Sequence, residues 1–198
     1  MTYDRRALGL LTVGLLFGLS PIGGFAQTVV EKDAQALFQA ADAAGRVGTA
    51  AKVKPVDARP ANAGEVVVTI ILGEGKETQS KPAEAGDWVV RNRCPESGNE
   101  QYLVKANRFA ERYGAAQSEA DSAGWKAFRP LGKPMRFFLV SQEEGAFTFK
   151  APWGEAMFAK PGDAIVQDPT DAKDTYRIAA AAFTCTYEIT AAPKRSAA

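Results

Sequence analysis

The sequence predicts an α+β protein, mostly β, built from two small tandem units that follow an N-terminal helix. Three observations predict this fold: a residue pattern that occurs twice, a stretch with helical spacing before the first copy, and one cysteine in each copy. The two copies lie at residues 85–113 and 160–187. One unit of this size buries only a modest core. We therefore expect the two units to pack together as one pseudo-symmetric body.

The repeated pattern consists of Gly-Asp, a short aliphatic run, a polar loop, a Tyr, and then a Phe four residues before a second Tyr. The matching pairs are Gly86 and Gly162, Asp87 and Asp163, Tyr102 and Tyr176, Phe109 and Phe183, and Tyr113 and Tyr187. The aliphatic runs predict strands, Gly-Asp predicts a turn, and the segment between the tyrosines predicts a strand and a short helix. We expect both phenylalanines to cover the core from that helix.

Upstream of each copy the match is weaker. Lys54-Pro55 precedes the apolar run "EVVVTIIL" in the first unit, and Lys133-Pro134 precedes "RFFLV" in the second. We interpret both runs as equivalent strands followed by hairpin turns at residues 73–77 and 142–146. The units are accordingly placed at residues 63–115 and 128–189.

The segments outside the units have distinct patterns. Two arginines, an apolar run at residues 7–19 and small residues before position 27 are typical of a secretory signal peptide, so we expect residues 1–26 to be removed. The run is too short to span a bilayer, and the arginine pair leaves the twin-arginine route open beside the general secretory route. Residues 31–44 have helical spacing. We expect a helix and linker at residues 27–62 and a disordered tail at 190–198.

Cys94 and Cys185 are the only cysteines in the chain. An exported protein meets an oxidising compartment, so we expect a disulfide rather than a catalytic thiol. Because neither cysteine has a counterpart in the other copy, the bond would join the two units. Closing a loop of about 90 residues in this way contributes roughly 4 kcal/mol to stability.

Composition excludes several classes of function. The chain has no histidine, which excludes Ser-His-Asp and Cys-His catalysis as well as zinc bound by histidine, and two cysteines cannot hold a structural zinc alone. No phosphate-binding glycine loop is present. Lys and Arg total 24 against 23 for Asp and Glu, so nothing predicts a nucleic acid or an anionic membrane as partner. We expect no cofactor and no metal. Carboxylate chemistry, lysine chemistry and binding without chemistry remain.

Three carboxylates are the candidates for catalysis: Asp87, Asp163 and Glu155. Two carboxylates on facing turns could share a proton or flank a glycosidic bond. An Asp after Gly, however, commonly accepts backbone N–H groups and holds its own turn, and we expect that role for both aspartates. The candidates for binding are Trp153, which lies between Pro and Gly, its neighbour Glu155, and Trp88. We expect the charged residues on the helix of the first copy to form a solvated face.

The second copy also resembles a known family. Pro161-Gly162-Asp163 is followed by Ile165-Val166, Tyr176, Phe183 and Thr186-Tyr187-Glu188, a series that resembles the PGDYG-type domain of bacterial and phage proteins. Ala164 stands where the family has an aromatic residue. The first copy keeps that aromatic as Trp88 but has Ala85 in place of Pro. The resemblance implies a compact β-rich fold and carries no catalytic residues or activity.

Taken together, these patterns predict a non-enzymatic binding or interaction module in the periplasm or outside the cell. Its ligand would be a protein or a small molecule, held at the seam between the copies or along an exposed strand edge. A small hydrolase is the alternative function. Carboxylates gathered in one cleft would favour the hydrolase, whereas carboxylates bonded to their own turns would favour the binding module.

Overall fold

A computed structural model describes residues 29–194, so the predicted signal peptide and the last four residues lie outside the described part. The protein is mostly β, as predicted, with helices at three points along the chain. In chain order the elements are β1 Val30–Glu31, α1 Ala34–Ala43, β2 Gly48–Lys52, β3 Val56–Pro60, β4 Val68–Ile71, β5 Gly75–Gln79, β6 Trp88–Asn92, β7 Gln101–Val104, α2 Ala106–Arg112, β8 Tyr113–Ala116, β9 Lys126–Pro130, β10 Pro134–Leu139, β11 Phe147–Lys150, β12 Ala156–Ala159, β13 Ala164–Asp168, β14 Asp171–Ile178, α3 Ala180–Thr186 and β15 Tyr187–Ala191. A short 3-10 helix, Pro95–Ser97, lies between β6 and β7.

Two five-stranded antiparallel sheets form the body of the protein. The first has the strand order β7-β6-β3-β9-β8, and the second has the order β14-β13-β10-β2-β15. A smaller sheet contains β1, β11 and β12, and β4 and β5 form a separate hairpin. Each large sheet therefore has one helix, α2 or α3, that connects its two edge strands along the chain.

The repeated residues occupy the same places in the two large sheets. Tyr102 pairs with Val90 between β7 and β6, and Tyr176 pairs with Val166 between β14 and β13. Both Gly-Asp turns begin at a glycine with positive φ, 89° and 94°. Each helix begins two residues after its strand ends and stops at the closing tyrosine of the pattern. The predicted pseudo-symmetry of the two units as whole bodies stays a prediction.

The units exchange one strand. Strand β2 precedes the first unit but pairs with β10 and β15 of the second, whereas β9 follows the first unit and pairs with β8 at the end of that unit and with β3 before it. The linker predicted up to residue 62 is therefore wrong, because it contains β2 and β3. Their sequences, "GTAAK" and "VDARP", are short and contain few large apolar residues. Small alanines suit these crowded interior positions, where pairing on both sides replaces intrinsic β propensity.

One predicted hairpin is also wrong. The turn at residues 73–77 does join paired strands, β4 and β5, but residues 142–146 join β10 to β11, which do not pair with each other. The equivalent of "RFFLV" in the first unit is consequently β3, which follows Lys54-Pro55 directly, and not the later run "EVVVTIIL". The error arose because β3 is polar at alternate positions and resembles a loop in composition.

The N-terminal helix is confirmed. Asp33 caps α1 by accepting the backbone N–H of Ala36 at 2.7 Å, and the helix buries Phe38 and Ala41. The ring of Phe38 packs edge-on against Phe138 of β10 at 5.5 Å between centroids. The predicted tail is shorter than expected, since β15 extends to residue 191.

Phe109 and Phe183 are buried, as expected. Each stacks on the tyrosine that closes its own copy, with ring centroids 4.9 Å and 5.3 Å apart. Cys94, two residues after β6, forms a disulfide with Cys185 of α3, and their Cα atoms are 6.1 Å apart. The disulfide thus ties the loop of the first unit to the helix of the second. No helix formed by residues 29–194 has both the length and the apolar character needed to cross a lipid bilayer.

Candidate functional site

A cavity of about 1000 Å³ lies between the two units and is lined by residues of both. All four tyrosines of the repeated pattern border it: Tyr102, Tyr113, Tyr176 and Tyr187. The tyrosines come from corresponding strands and strand starts of the two large sheets. The repeat therefore contributes to the wall of a shared space as well as to two separate cores.

The hydroxyls of Tyr102, Tyr113 and Tyr187 remain protonated donors. The hydroxyl oxygens of Tyr102 and Tyr113 lie 3.1 Å apart. Burial raises the pKa of Tyr113 to about 12 and holds the pKa values of Tyr102 and Tyr187 well above the ordinary value. The wall consequently combines apolar ring faces with hydroxyl groups that donate or accept hydrogen bonds.

One end of the cavity contains an ion-pair cluster between the units. Arg112 at the end of α2 bonds Asp174 of β14 at 2.8 Å, and its guanidinium lies 5.9 Å from the centroid of the Tyr176 ring. Arg108, one turn earlier, contacts Asp171 at 3.4 Å. The prediction of a solvated face on α2 is therefore wrong at these two arginines, because both form ion pairs with carboxylates of the other unit.

A second cluster in the cavity wall contains an amine, an amide and a carboxylate in contact. The Nζ atom of Lys52 donates to Asn92 Oδ1 at 2.5 Å and to the Tyr102 hydroxyl at 2.7 Å. The Nδ2 atom of Asn92 donates to Glu100 Oε1 at 2.5 Å, and Ser97 Oγ donates to the other oxygen of Glu100. Burial lowers the pKa of Lys52 to about 7, against a smaller opposing effect of Glu100.

Arg177, which also borders the cavity, joins the second Gly-Asp turn to the β4–β5 hairpin. Its guanidinium contacts Glu77 and Glu74 of the hairpin at 2.6 Å each and Asp163 at 2.9 Å. Arg177 and Asp163 are almost fully buried. Desolvation raises the pKa of Glu77 to about 7 although Arg177 opposes this rise. The cluster connects the units through charges largely removed from water.

The three carboxylates considered for catalysis are not gathered in one cleft. Asp87 accepts the backbone N–H of Glu84 and of Ala106, and it pairs with Lys105. Asp163 accepts the equivalent backbone N–H groups, those of residues 160 and 180. Glu155 is exposed in the turn between β11 and β12. Within residues 29–194, none of the three borders the cavity.

The residues considered for binding separate into two groups. Trp153 borders the cavity, donates from Nε1 to Thr78 Oγ1 at 3.2 Å, and lies 6.2 Å from the Tyr176 ring. Trp88 instead stacks on Phe109 at 4.2 Å and packs against the core of the first unit. Neither Trp88 nor Glu155 is among the described residues that line the cavity.

Sequence reasoning missed Lys52, Asn92, Glu100 and Arg112. Lys52 lies in the stretch interpreted as a linker, and the other three appeared to be ordinary polar residues of a loop and a helix. A signal was present in the repeat itself, because Asn92 and Glu100 correspond to Asp168 and Asp174 at the offsets that align the two copies. Polar residues kept at matching positions beside a repeated tyrosine indicate a shared environment.

Comparison of the chain with protein families, with curated proteins and with solved structures finds no match in any of the three. The function is therefore inferred from the geometry of the site.

Proposed function

We propose that this protein is an exported, non-enzymatic binding module that holds a small molecule in the cavity between its two units. The observation that carries the proposal is a space of about 1000 Å³ walled by four tyrosines and Trp153. Cavities of this size, apolar in most of their wall and with a few convergent polar groups, are typical of small-molecule sites.

The wall indicates the chemistry of the ligand. Ring faces of tyrosine and tryptophan stack on planar or ring-shaped molecules, and the hydroxyls that border the same space bind their polar edges. The charges of the two clusters are paired or hydrogen-bonded within each cluster, so a large net charge on the ligand is not required. A planar or cyclic molecule with hydrogen-bond acceptors fits these properties best.

The positions of the carboxylates support binding over hydrolysis. Asp87 and Asp163 each accept one backbone N–H group of their own turn, one from the first residue of the following helix, and a cationic side chain, which leaves neither free to activate water. Export to the periplasm or beyond is proposed from the N-terminal pattern and agrees with the Cys94–Cys185 disulfide. Membership of the PGDYG-type family would add no activity to this proposal.

The three tryptophans allow a test with internal controls. Trp153 borders the cavity, Trp88 is packed in the core, and Trp125 lies on the surface between the guanidinium groups of Arg59 and Arg91. We would label the protein with 5-fluorotryptophan and record fluorine NMR spectra with a panel of aromatic carboxylates, nucleobases and monosaccharides. A compound that binds in the cavity shifts the Trp153 resonance and leaves the other two unchanged.

Two variants locate the binding. Tyr176→Ala is expected to weaken the binding of such a compound at least about tenfold, because it removes one ring of the wall. Phe158→Ala is the matched control, since this ring is exposed on β12 outside the cavity, and we expect unchanged affinity. If no compound in the panel moves Trp153, or if Trp125 alone responds, the cavity is not the binding site.

A further inference from the structure

Lys52, Asn92 and Glu100 form a hydrogen-bonded network whose geometry also brings together three groups that can react with one another. Lys52 is the last residue of β2 in one large sheet, and Asn92 is the last residue of β6 in the other. An amine, a carboxamide and a carboxylate meet there in sequence, each 2.5 Å from the next. We propose that Lys52 and Asn92 become joined by an intramolecular isopeptide bond, with release of ammonia, which links the two sheets covalently.

The environment of Lys52 favours the uncharged amine, which is the nucleophile. Within residues 29–194, Lys52 forms no ion pair, and the hydrogen-bond partners of its Nζ atom are the neutral oxygens of Asn92 and Tyr102. After burial, the largest effect that lowers the pKa of Lys52 is the nearby positive charge of Arg112. Because burial lowers the pKa of Lys52 to about 7, about half of the amine is uncharged near neutral pH.

The amide carbon of Asn92 lies close to this amine, because its oxygen Oδ1 accepts from Nζ. The carbonyl bond is about 1.23 Å long, so Cγ of Asn92 lies no more than about 3.7 Å from Nζ of Lys52, close to the separation of a near-attack arrangement. The hydroxyl of Tyr102 donates to Oδ1 at 3.3 Å. Negative charge that develops on Oδ1 during attack is therefore stabilised by a hydroxyl that stays protonated.

Glu100 is placed to move the proton. One carboxylate oxygen contacts Nδ2, the nitrogen that leaves, and the other is fixed by the Ser97 hydroxyl. The backbone holds Glu100 as well, because the N–H of Asn92 donates to its carbonyl at 3.0 Å. Glu100 and Asn92 are both buried. The carboxylate therefore remains beside the leaving nitrogen without competition from bulk water.

The reaction balances without an added reagent. The lone pair of the uncharged Lys52 amine forms the Nζ–Cγ bond, which puts the attacking nitrogen on the same carbon as Nδ2. Glu100, which contacts Nδ2, then takes one proton from the attacking nitrogen. Glu100 returns that proton to Nδ2, the Cγ–Nδ2 bond breaks, and ammonia leaves. One amide replaces another, so nothing is oxidised or reduced and Glu100 ends as it began.

The second unit lacks the same chemistry. The residues that correspond to Asn92 and Glu100 are Asp168 and Asp174, which face guanidinium groups of α2. A guanidinium is not deprotonated in proteins, and a carboxylate is a poor acceptor for an amine, so that end of the cavity forms ion pairs only.

Mass spectrometry of a tryptic digest tests the proposal. An uncrosslinked chain releases residues 47–52 by cleavage after Lys52 and the dipeptide Asn92-Arg93. In the crosslinked protein trypsin cannot cleave at Lys52, and Asn92-Arg93 remains attached to the peptide that contains it, about 17 Da lighter than the two parts together. Peptide mapping is required, because an N-terminal Gln27 also loses ammonia on cyclisation and gives the same change in intact mass.

Three variants define the reacting groups. Lys52→Arg and the nearly isosteric Glu100→Gln are expected to lose the branched peptide, whereas Lys54→Arg, two residues from Lys52, keeps it. Circular dichroism and the Cys94–Cys185 disulfide report whether each variant is folded. The proposal is overturned if folded wild-type protein yields free residues 47–52 and free Asn92-Arg93, or if the loss of ammonia maps to Gln27 alone. A branched peptide that persists in folded Glu100→Gln would overturn the role of Glu100.

Discussion

The two Gly-Asp turns have the same backbone hydrogen bonds but different cationic partners. In the first turn Asp87 pairs with Lys105, whose side chain is 49% exposed. In the second turn Asp163 pairs with Arg177, whose side chain is 2% exposed. The repeated sequence thus determines the local turn, because both aspartates accept equivalent N–H groups, while the surroundings of each unit determine the cation.

The difference follows from what covers each turn. Residues of the β4–β5 hairpin, Glu74 and Glu77, reach Arg177 and bring two further carboxylates to the second turn. The partners of Lys105 are Glu84, which is exposed, and Asp87. Charges removed from water require complete pairing, whereas exposed charges are screened and contribute little. One motif therefore supports a solvent-facing turn in one copy and a buried connection between units in the other.

Removing each cation should give the largest contrast between the turns. Arg177→Ala leaves Asp163, Glu74 and Glu77 without their shared partner, and we expect a loss of about 5 kcal/mol in the free energy of unfolding. Lys105→Ala is the matched variant, with an expected loss below about 1 kcal/mol because its pair is screened by solvent. Urea denaturation of both variants measures the difference. Losses of equal size would show that the second turn is not the more buried of the two.

Substitution of equivalent core residues should destabilise the two units by similar amounts, in contrast to the substitutions at the two turns. Phe109→Ala and Phe183→Ala each delete a buried ring that stacks on a tyrosine, so we expect each to destabilise the protein by roughly 3 to 5 kcal/mol. Both variants should still unfold in one transition. The pairing of β2 with β10 and of β9 with β3 interleaves the two sheets along the chain, so neither sheet can unfold alone. Calorimetry provides the measurement. Two separate transitions would show that the units are independent domains.

Sequence reasoning found the features that depend on neighbouring residues in the chain. The helix α1, the Gly-Asp turns and the burial of both phenylalanines follow from local spacing. The disulfide was predicted from cysteine count and compartment, and both cysteines lie in contact. These features have one dominant cause each, which the sequence displays directly.

Features set by distant partners were not predicted. Strands β2 and β3 are sheet interiors only because other strands pair on both sides of them, and their composition alone resembles a linker. The environment of Lys52 depends in the same way on Asn92 and Tyr102 from the other sheet. A repeat identifies equivalent positions, but it does not reveal that the two units exchange a strand.

The free energy of unfolding at acidic pH provides the test with the smallest expected effect, and this test is specific to the first turn. Burial opposes ionisation of Asp87, but Lys105 and the N–H groups of residues 84 and 106 outweigh it and hold its pKa below the ordinary value. The unfolded chain therefore takes up this proton at a higher pH than the folded protein does. Stability from Asp87 is present above its unfolded pKa, near 3.8, and is lost as the pH falls through the folded pKa.

Asp87→Asn removes this contribution, so we expect the difference in unfolding free energy between wild type and variant to narrow by about 1 kcal/mol between pH 5 and pH 3. Other paired carboxylates also titrate in this range, but they affect both proteins equally and cancel in the difference. Urea titrations at several pH values provide the measurement, and a gap that stays constant down to pH 3 would show that Asp87 is not stabilised in its ionised form.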